Sequence, residues 1–352
     1  MDSPPVADAR RSPDSIARIR SLVRRLLDTR NPSFELRDEV LELLHHMSRL
    51  AGFVRAADQP LDVGESATGQ GLAISPGHAV LCGEDVARTV VFLRGVAAAI
   101  DRGFRSYSRP VELVYAGCGP YALLLIPLLV ARPGIPVRAT LIDIHPGSIE
   151  RVRRLVRALD LGDFIARLEI ADAADYRIAA HRLPDVVVTE VMQAMLDKEP
   201  QVAVTRNLLQ QAPGALLVPE EVRIDLVLVD LSKEFDLSGN GTGPERDRIE
   251  LGTAFRLDRE RVEAWAGANE AVLEGATLQV PAMPGDDYDA MLFTRIQVFG
   301  EHWLDSYDSG LTFPRRLSID RWPAEGEVLR FRYRLGERPE LTADVVRGSP
   351  AL

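Results

Sequence analysis

Apolar residues near the N-terminus recur at steps that predict a helical cap. Residues 15–29 and 35–50 carry apolar side chains at every third or fourth position, which is typical of helices with one buried face. Residues 58–76 are rich in Gly, Ser and Pro and therefore predict a loop. Helical spacing returns over residues 85–100. We expect residues 1–82 to form a helical N-terminal extension.

The middle of the chain alternates short apolar runs with helical segments. The runs VELVYAG, VRATLID, RLEIAD, PDVVVTE and ALLVPE each have the length of a buried strand. Helical segments separate them, among them ALLLIPLLVA and SIERVRRLVRALDL. Strands that alternate with helices predict βαβ units and a parallel sheet that is covered on both faces. We expect a Rossmann-like domain over residues 83–219.

After Pro219 the apolar pattern changes to alternation. The runs VRIDLVLVD, TLQV, LFTRIQVF and LRFRYRL have the period of two that is typical of antiparallel strands with one solvated face. One segment of this half, DRERVEAWAGANEAV, predicts a helix. We expect residues 220–352 to form a β-rich, barrel-like domain with a helical insertion. The predicted fold class is α/β, with a Rossmann-like domain followed by an antiparallel β-barrel-like domain.

Composition and charge exclude several classes of protein. The chain has 352 residues with 42 basic and 52 acidic side chains, a formal net charge of −10, so no nucleic-acid partner is expected. No apolar run reaches the roughly 20 residues that a membrane-spanning helix needs, and the polar N-terminus lacks the apolar core of a secretory signal. The two cysteines, Cys82 and Cys118, are too few for a disulfide framework. We expect a cytoplasmic protein that does not bind membranes.

A glycine turn follows the first strand of the α/β half. The sequence VYAGCGP, residues 114–120, runs from an apolar strand through Gly-x-Gly into a helical segment. Glycines let a ligand approach the backbone, and a helix start offers unpaired N–H groups. In an open parallel sheet, this strand end is where a nucleotide-like ligand binds. Because Tyr121 follows Pro120 where the dinucleotide pattern needs a further glycine, a nicotinamide cofactor is not expected.

Acids at the next two strand ends extend this pattern. Asp143 ends the second strand, where a carboxylate can bind both ribose hydroxyls. Asp172 ends the third strand, where it can accept from an adenine amino group, and Asp175 is a nearby substitute. Each acid alone is equally consistent with a solvated loop residue, but the turn and the acids in this order resemble the S-adenosylmethionine-dependent methyltransferases. The resemblance implies S-adenosyl-L-methionine as cofactor, bound by Ala116, Gly117, Cys118, Gly119, Asp143 and Asp172.

Two glutamates follow the fourth strand. The sequence TEVMQAMLDKE, residues 189–199, places Glu190 and Glu199 nine positions apart, so a loop can turn both carboxylates towards one pocket. A carboxylate pair suits a planar cation that donates two parallel hydrogen bonds. The segment resembles the double-glutamate loop of the protein arginine methyltransferases, S-E-x-M-G-(x)5-E. Met192 is in register with that pattern, whereas Gln193 stands where the family has glycine.

Two further segments resemble the same family. Arg88, in EDVARTVVF, resembles the arginine that grips the carboxylate at the methionine end of the cofactor. His302 and Trp303, in GEHWLDS, resemble the family's T-H-W loop, with Glu301 in place of its threonine. The resemblance extends over residues 83–333. The family's aromatic N-terminal helix, Tyr-Phe-x-x-Tyr, is not legible before Arg88.

The resemblance implies methyl transfer to a guanidinium group. The implied catalytic residues are Glu190, Glu199 and His302: the glutamates hold the guanidinium and free one nitrogen lone pair, and Glu199 or His302 takes the proton. The implied substrate-binding residues are Glu190, Met192, Glu199, His302 and Trp303. The composition, rich in Ala and Arg with few Lys, is typical of a GC-rich bacterium. We therefore expect free L-arginine as substrate, giving Nω-methyl-L-arginine in a natural-product pathway.

Other functions fit parts of the pattern. A C- or O-methyltransferase of an aromatic amino acid would hold an ammonium group with the same glutamates, and a protein or peptide arginine methyltransferase would bind a larger substrate. The departures Tyr115, Tyr121 and Gln193 support a non-catalytic cofactor-binding protein. No metal is expected, because His45 and His46 are helix neighbours that point to different faces. The resemblance implies a homodimer, with DRERVEAWAGANEAV as a candidate dimerisation segment.

Overall fold

The computed structural model describes residues 13–54, 60–234, 246–265 and 271–347. Its helices are α1 Pro13–Leu27, α2 Arg37–Ala51, α3 Pro76–Cys82, α4 Val86–Tyr107, α5 Ile126–Ala131, α6 Pro146–Leu159, α7 Gln201–Gln211, α8 Leu231–Glu234 and α9 Arg259–Ala264. Its strands are β1 Ser66–Thr68, β2 Gly71–Ala73, β3 Val111–Ala116, β4 Val137–Asp143, β5 Ile165–Ile170, β6 Val186–Thr189, β7 Leu216–Val218, β8 Glu221–Asp230, β9 Arg248–Asp258, β10 Val272–Leu278, β11 Tyr288–Phe299, β12 His302–Leu304, β13 Arg315–Arg316, β14 Glu327–Arg334 and β15 Glu340–Arg347.

A five-stranded parallel sheet forms the first half of the molecule. Its strand order is β5-β4-β3-β6-β7, and all neighbouring strands are parallel. β3 and β6 are buried almost throughout, which explains their unbroken apolar sequences VELVYA and VVVT. Helices α4 and α7 pack against β6, and α6 packs against β4 and β5. The predicted Rossmann-like α/β half is therefore confirmed.

Antiparallel sheets form the second half. β8 pairs with β11 along its whole length, and the sheet order is β12-β11-β8-β9, with β13 beside β11. A further sheet has the order β10-β14-β15. The rings of Phe255 on β9 and Tyr333 on β14 stack at 5.0 Å and join the two sheets in one core. The antiparallel second half is confirmed, and it includes β9 and β15, which the apolar pattern did not reveal.

The N-terminal helices pack onto the outside of the α/β half. α1 packs against α5 and α2 against α6, and the buried residues of α1 are Ile19, Leu22, Val23 and Leu26. On α4, the Arg94 guanidinium donates to the carbonyls of Leu26, Asp28 and Asn31, at 2.8 to 2.9 Å, where α1 ends. The predicted helical cap is therefore present, and its end is bonded to the helix that begins beside the glycine turn.

Three predicted elements differ from the structure. Residues 58–76 contain the hairpin β1–β2, whose short sequences SAT and GLA carry no apolar alternation. The predicted helix ALLLIPLLVA begins only at Ile126, because Pro127 suits the first turn of a helix. The predicted helix DRERVEAWAGANEAV ends at Ala264, and Val272 begins β10, while residues 266–270 lie outside the described part.

Candidate functional site

An open cavity, with about 1090 Å³ of empty space counted out into the solvent, lies at the carboxyl ends of the parallel strands. Residues from the N-terminal segment 68–83 form its opposite wall. The predicted site residues that line it are Arg88, Gly117, Cys118, Gly119, Asp143, Asp172, Glu190 and Glu199. Among the described residues, the predicted ones that do not line it are Ala116, Met192, His302 and Trp303. The structure thus brings most of the predicted cofactor residues together with both glutamates.

The glycine turn packs tightly against the glutamate loop, which we define as residues 190–200. Gly117 and Gly119 have φ values of +73° and +63°, a conformation that L side chains rarely adopt. A Cβ on Gly117 would lie 2.1 Å from Val191 Cγ1, which is too close for any packing. Ala116 lies fully buried at the end of β3, behind this turn. Gly117 is therefore required by the packing of the chain on itself.

The turn fixes the carboxylate of Asp143. Its Oδ2 accepts a hydrogen bond from Gly119 N at 2.8 Å, and its Oδ1 accepts one from His145 N at 2.8 Å. Each carboxylate oxygen retains the capacity for a further donor. Asp172 also lines the cavity, and its Oδ1 accepts from a backbone N–H two residues further on. Both acids therefore offer acceptors to a ligand with hydroxyl and amino donors.

The second half of the molecule holds the glutamate loop in a strained conformation. Met195 and Leu196 have φ values of +69° and +57°, which cost free energy in residues other than glycine. Tyr333 on β14 donates to Leu196 O at 2.6 Å, and Met195 N donates to Thr294 Oγ1 on β11 at 3.1 Å. Met192 is 2% exposed and packs into the core. The antiparallel sheets therefore set the position of the loop that carries both glutamates.

Arg88 and Glu190 form an ion pair inside the cavity. Arg88 lies in the first turn of α4, whose N-cap residue Asp85 accepts a hydrogen bond from Arg88 N at 3.1 Å. Arg88 Nη2 lies 2.5 Å from Glu190 Oε1, and each side chain is 12% exposed. Burial is the largest single effect and lowers the pKa of Arg88, but the charge and hydrogen bond of Glu190, together with Cys82 and Glu199, raise the pKa overall. Arg88 therefore stays charged and compensates the charge of Glu190.

Glu199 lies in the same cavity without such a partner. It is 4% exposed, and in the part of the chain that the structure describes no Lys, Arg or His nitrogen lies within 4.0 Å of its carboxylate. Burial and the charge of Glu190 raise the pKa of Glu199 to about 8, although Arg88 and a hydrogen bond from Gln193 act in the opposite direction. The Glu199 carboxyl is therefore mostly protonated near neutral pH.

A hairpin within the segment predicted as a loop lines the cavity together with the helix that follows it. We call it the roof and define it as the hairpin β1–β2 with helix α3. Leu72 N donates to Lys198 O at 2.8 Å, and a Cβ on Gly71 would lie 2.7 Å from the same oxygen. On the other strand, Ser66 Oγ lies 3.2 Å from His145 Nε2. The roof therefore rests on the glutamate loop at one strand and on the loop after β4 at the other.

The sequence carried one signal for the roof that its Gly- and Pro-rich composition obscured. Ser75 caps α3 by accepting a hydrogen bond from His78 N at 3.0 Å, and Pro76 follows in the first turn. A serine before a proline is a common helix start. Roof residues that line the cavity include Thr68, Ala73, Pro76, Ala79 and Val80.

The structure does not bring His302 and Trp303 to the cavity. Both lie on β12, which pairs with the far end of β11 and packs against α4. Burial, assisted by Arg94, lowers the pKa of His302. Arg94 follows Arg88 by six residues, which is about 9 Å along a helix. The ring of Trp303 lies 5.6 Å from the guanidinium of Arg295. β12 therefore meets α4 beyond its first turn, away from the glutamates.

A different loop of the second half contacts the start of α4. Ser309 Oγ donates to Asp85 Oδ2 at 2.7 Å, and Gly310 N donates to the same oxygen at 2.9 Å. Asp85 precedes Arg88 by about one helical turn, so this loop supports the arginine of the cavity. Sequence reasoning missed it, because the segment SGLT has no distinguishing residue pattern.

Neither a metal site nor a membrane-spanning helix is found in the described ranges. No group of three or more His, Cys, Asp or Glu side chains there is arranged to hold a metal ion. No helix in those ranges combines the length and the apolar character needed to cross a bilayer.

Comparisons with known proteins give the following result. A scan against protein-family models and a search of curated proteins both find no match for this sequence. Among solved structures, the chain is similar to Arabidopsis thaliana protein arginine methyltransferase 10, whose crystal structure is described as uniquely open. The sequence identity is 13%, the alignment covers 74% of this chain and 92% of that chain, and the TM-score is 0.44.

Proposed function

We propose that this protein is an S-adenosylmethionine-dependent methyltransferase that acts on the guanidino nitrogen of arginine. The observation that carries the proposal is one cavity that is lined by the glycine turn, two strand-end acids and two glutamates, of which Glu199 is buried and Glu190 is partly buried. The residues concerned are Gly117, Gly119, Asp143, Asp172, Arg88, Glu190 and Glu199.

The donor and acceptor groups of the cavity fit this cofactor. The cavity is open to solvent, and its lining combines apolar side chains with a few polar groups, which is typical of small-molecule sites. In this proposal Asp143 accepts from ribose hydroxyls and Asp172 from the adenine amino group. Arg88 uses one of its five N–H donors for Glu190 and keeps others for a carboxylate. When bound, the cofactor supplies a methyl group on a positively charged sulfur.

The glutamates supply positioning for the transfer. Such a displacement depends on holding the two reacting atoms close and in line. A guanidinium is a poor nucleophile because its lone pairs are delocalised, and anionic groups beside it draw the positive charge towards one nitrogen. Transfer forms an N–C bond, breaks the S–C bond and releases one N–H proton. The proposed acceptor for this proton is Glu199, once the bound guanidinium has favoured its ionised form; His302 is left out of this role because it does not line the cavity.

The roof favours a small substrate over a protein tail. The hairpin contacts the backbone of the glutamate loop at Lys198, directly beside Glu199, so it narrows the space around that carboxyl group. We therefore propose free L-arginine as substrate and Nω-methyl-L-arginine as product, in a bacterial natural-product pathway in the cytoplasm. Peptide arginine and aromatic amino acids are the alternatives that the experiment separates.

The test uses S-adenosyl-L-methionine with a labelled methyl group. The purified protein is incubated in parallel with L-arginine, an Arg- and Gly-rich peptide or L-tyrosine, and mass spectrometry locates the added methyl groups. We expect label in L-arginine. Label in the peptide alone would show that the substrate is peptide arginine instead of free arginine. Label in tyrosine alone would favour the aromatic methyltransferase. Cofactor binding without transfer to any of them leaves a non-catalytic binding protein and contradicts the proposal.

A pair of variants tests the cofactor site separately. Asp172→Ala removes an acceptor that lines the cavity, whereas Asp175→Ala removes the nearby acid that does not. Since a hydrogen bond to a charged group contributes about 1.5–3 kcal/mol, Asp172→Ala should weaken cofactor binding by about tenfold or more. Asp175→Ala should bind as the wild type does. Equal losses in both variants would contradict this placement of the adenine.

A further inference from the structure

Two glutamates, the partly buried Glu190 and the buried Glu199, share the cavity, but Arg88 pairs with only one of them. Arg88 contacts Glu190 at 2.5 Å, and this pair balances one negative charge. Glu199 is 4% exposed and has no such compensation within 4.0 Å among the residues described. An unpaired carboxylate in a buried place is strongly disfavoured, and such a group keeps its proton instead. A cation that enters the cavity therefore finds an uncompensated carboxyl group at Glu199.

The groups around Glu199 explain why its proton is retained and why a cation can replace it. They come from the glutamate loop, the segment before β1, α4 and the end of α3: Glu190, Gln193, Glu65, Arg88 and Cys82. The two carboxylates oppose a further negative charge, whereas the guanidinium and the amide hydrogen bond favour it. The thiol stays neutral, because burial raises the pKa of Cys82. A cation placed at Glu199 would shift this balance towards the ionised form.

We propose that Glu199 selects the cationic substrate by exchanging its own proton for that cation, and that Glu190 is a positioning residue that holds Arg88. On binding, the O–H bond of Glu199 breaks, the proton passes to solvent, and the carboxylate accepts N–H donors of the incoming guanidinium. One proton leaves for each cation bound. The inference rests on the proposed function in one respect: the substrate carries a cationic group.

The same exchange weakens the hold on the product. Methyl transfer displaces one N–H proton, and the Glu199 carboxylate beside the guanidinium takes it. The methylated guanidinium keeps its positive charge, since its pKa remains far above neutral. Glu199, neutral again, no longer balances that charge, so the product is bound less tightly than the substrate was. Each cycle then returns the cavity to its starting protonation state.

Titration calorimetry of L-arginine into the full-length protein counts the protons exchanged. Binding is measured at about pH 7 in two buffers with different ionisation enthalpies, and the difference in observed heat gives the proton number. We expect about one proton released per arginine and a Kd that falls about tenfold per pH unit up to about pH 8. In Glu199→Gln no proton should be released, and the Kd should not change with pH. In Glu190→Gln part of the release should persist, because the exchange takes place at Glu199, but it should be smaller because loss of the Glu190 charge lowers the pKa of Glu199.

The variants allow the outcomes to be separated. Glutamine has the shape of a neutral glutamic acid, so Glu199→Gln should fold, and its melting temperature at neutral pH serves as the check. Arginine binding without proton release, or release that persists in Glu199→Gln, overturns this inference and leaves the proposed function standing. No arginine binding at all overturns both. Proton-coupled binding without methyl transfer supports the exchange and overturns the function alone.

Discussion

At the scale of single residues, the turn at Gly117 is set by contact with Val191 rather than by a ligand alone. Gly117→Ala should unfold more easily by about 2–4 kcal/mol, because a Cβ would lie 2.1 Å from Val191 Cγ1 at a φ of +73°. The measurement is urea denaturation. Gly134→Ala is the control, since a Cβ there meets nothing within 4 Å. Similar stabilities of the two variants would contradict this account.

Glu199 makes stability depend on pH in a direction opposite to that of most carboxyls. Its pKa is about 8 in the folded protein and about 4.3 in an unfolded chain, so between these values the folded state binds one more proton. Its contribution to stability is complete below the lower value and is lost as pH rises towards 8, by up to roughly 1.4 kcal/mol per pH unit. Glu199→Gln should therefore gain stability relative to the wild type between about pH 5 and pH 8. Denaturant titrations at several pH values measure this difference, and parallel curves would rule it out.

At the scale of elements, the contact between the roof and the glutamate loop is testable with two neighbouring glycines. Gly71 has a φ of +143° and lies against Lys198 O, whereas a Cβ on Gly69 would meet nothing within 4 Å. Gly71→Ala should push the hairpin away from the loop and weaken arginine binding by about tenfold or more, since misplacing a site by about an ångström has large effects. Gly69→Ala should bind within about twofold of the wild type. Binding calorimetry compares them, and equal affinities would show that the roof does not shape the site.

Most elements could be predicted from apolar periodicity, and the failures have physical causes. α1, α2 and the parallel strands bury continuous apolar stripes or runs, so their sequences carry the signal. β1 and β2 are three residues each, and β2 is hydrogen-bonded to the glutamate loop, about 125 positions away in the sequence. β15 is half-buried along nearly its whole length and shows no clean alternation. Such elements are defined by their tertiary partners.

The candidate site could be predicted where each strand end contributes one residue. Gly117, Asp143, Asp172 and Glu190 follow strands of one parallel sheet, and parallel strands end at the same edge, so their convergence follows from the fold. His302 could not be placed in this way, because its position depends on the pairing of β12 with β11. A short motif in the second half of the chain does not determine which loop reaches α4.

At the scale of the whole molecule, the two halves meet at Asp85. This residue caps α4 and accepts hydrogen bonds from Ser309 and Gly310 of the second half. Asp85→Ala removes the N-cap of α4 and the hydrogen bonds from Ser309 and Gly310 together. This variant should therefore lower the free energy of unfolding by about 2–3 kcal/mol and weaken cofactor binding. Ser309→Ala should cost about 1 kcal/mol. Ser106→Ala, on the exposed end of α4, is the control and should change neither property.

The homodimer remains a prediction at this scale. The segment considered for dimerisation begins with α9, which packs against α7 of its own chain and buries Val262 and Trp265 there. The Trp265 carbonyl accepts a hydrogen bond from Arg206 Nη2 at 3.2 Å. The described part of this segment therefore already has an intramolecular partner.

The bonds from Arg94 to the end of α1 determine how the chain can be shortened. One guanidinium ties the carbonyls of Leu26, Asp28 and Asn31 to α4, the same helix that carries Arg88 at its start. Removing the first helices would leave the partly buried guanidinium of Arg94 without its acceptors and would expose the apolar surface of α5. Truncation of the N-terminal helices would therefore lower solubility and disturb the geometry of the cavity at the same time.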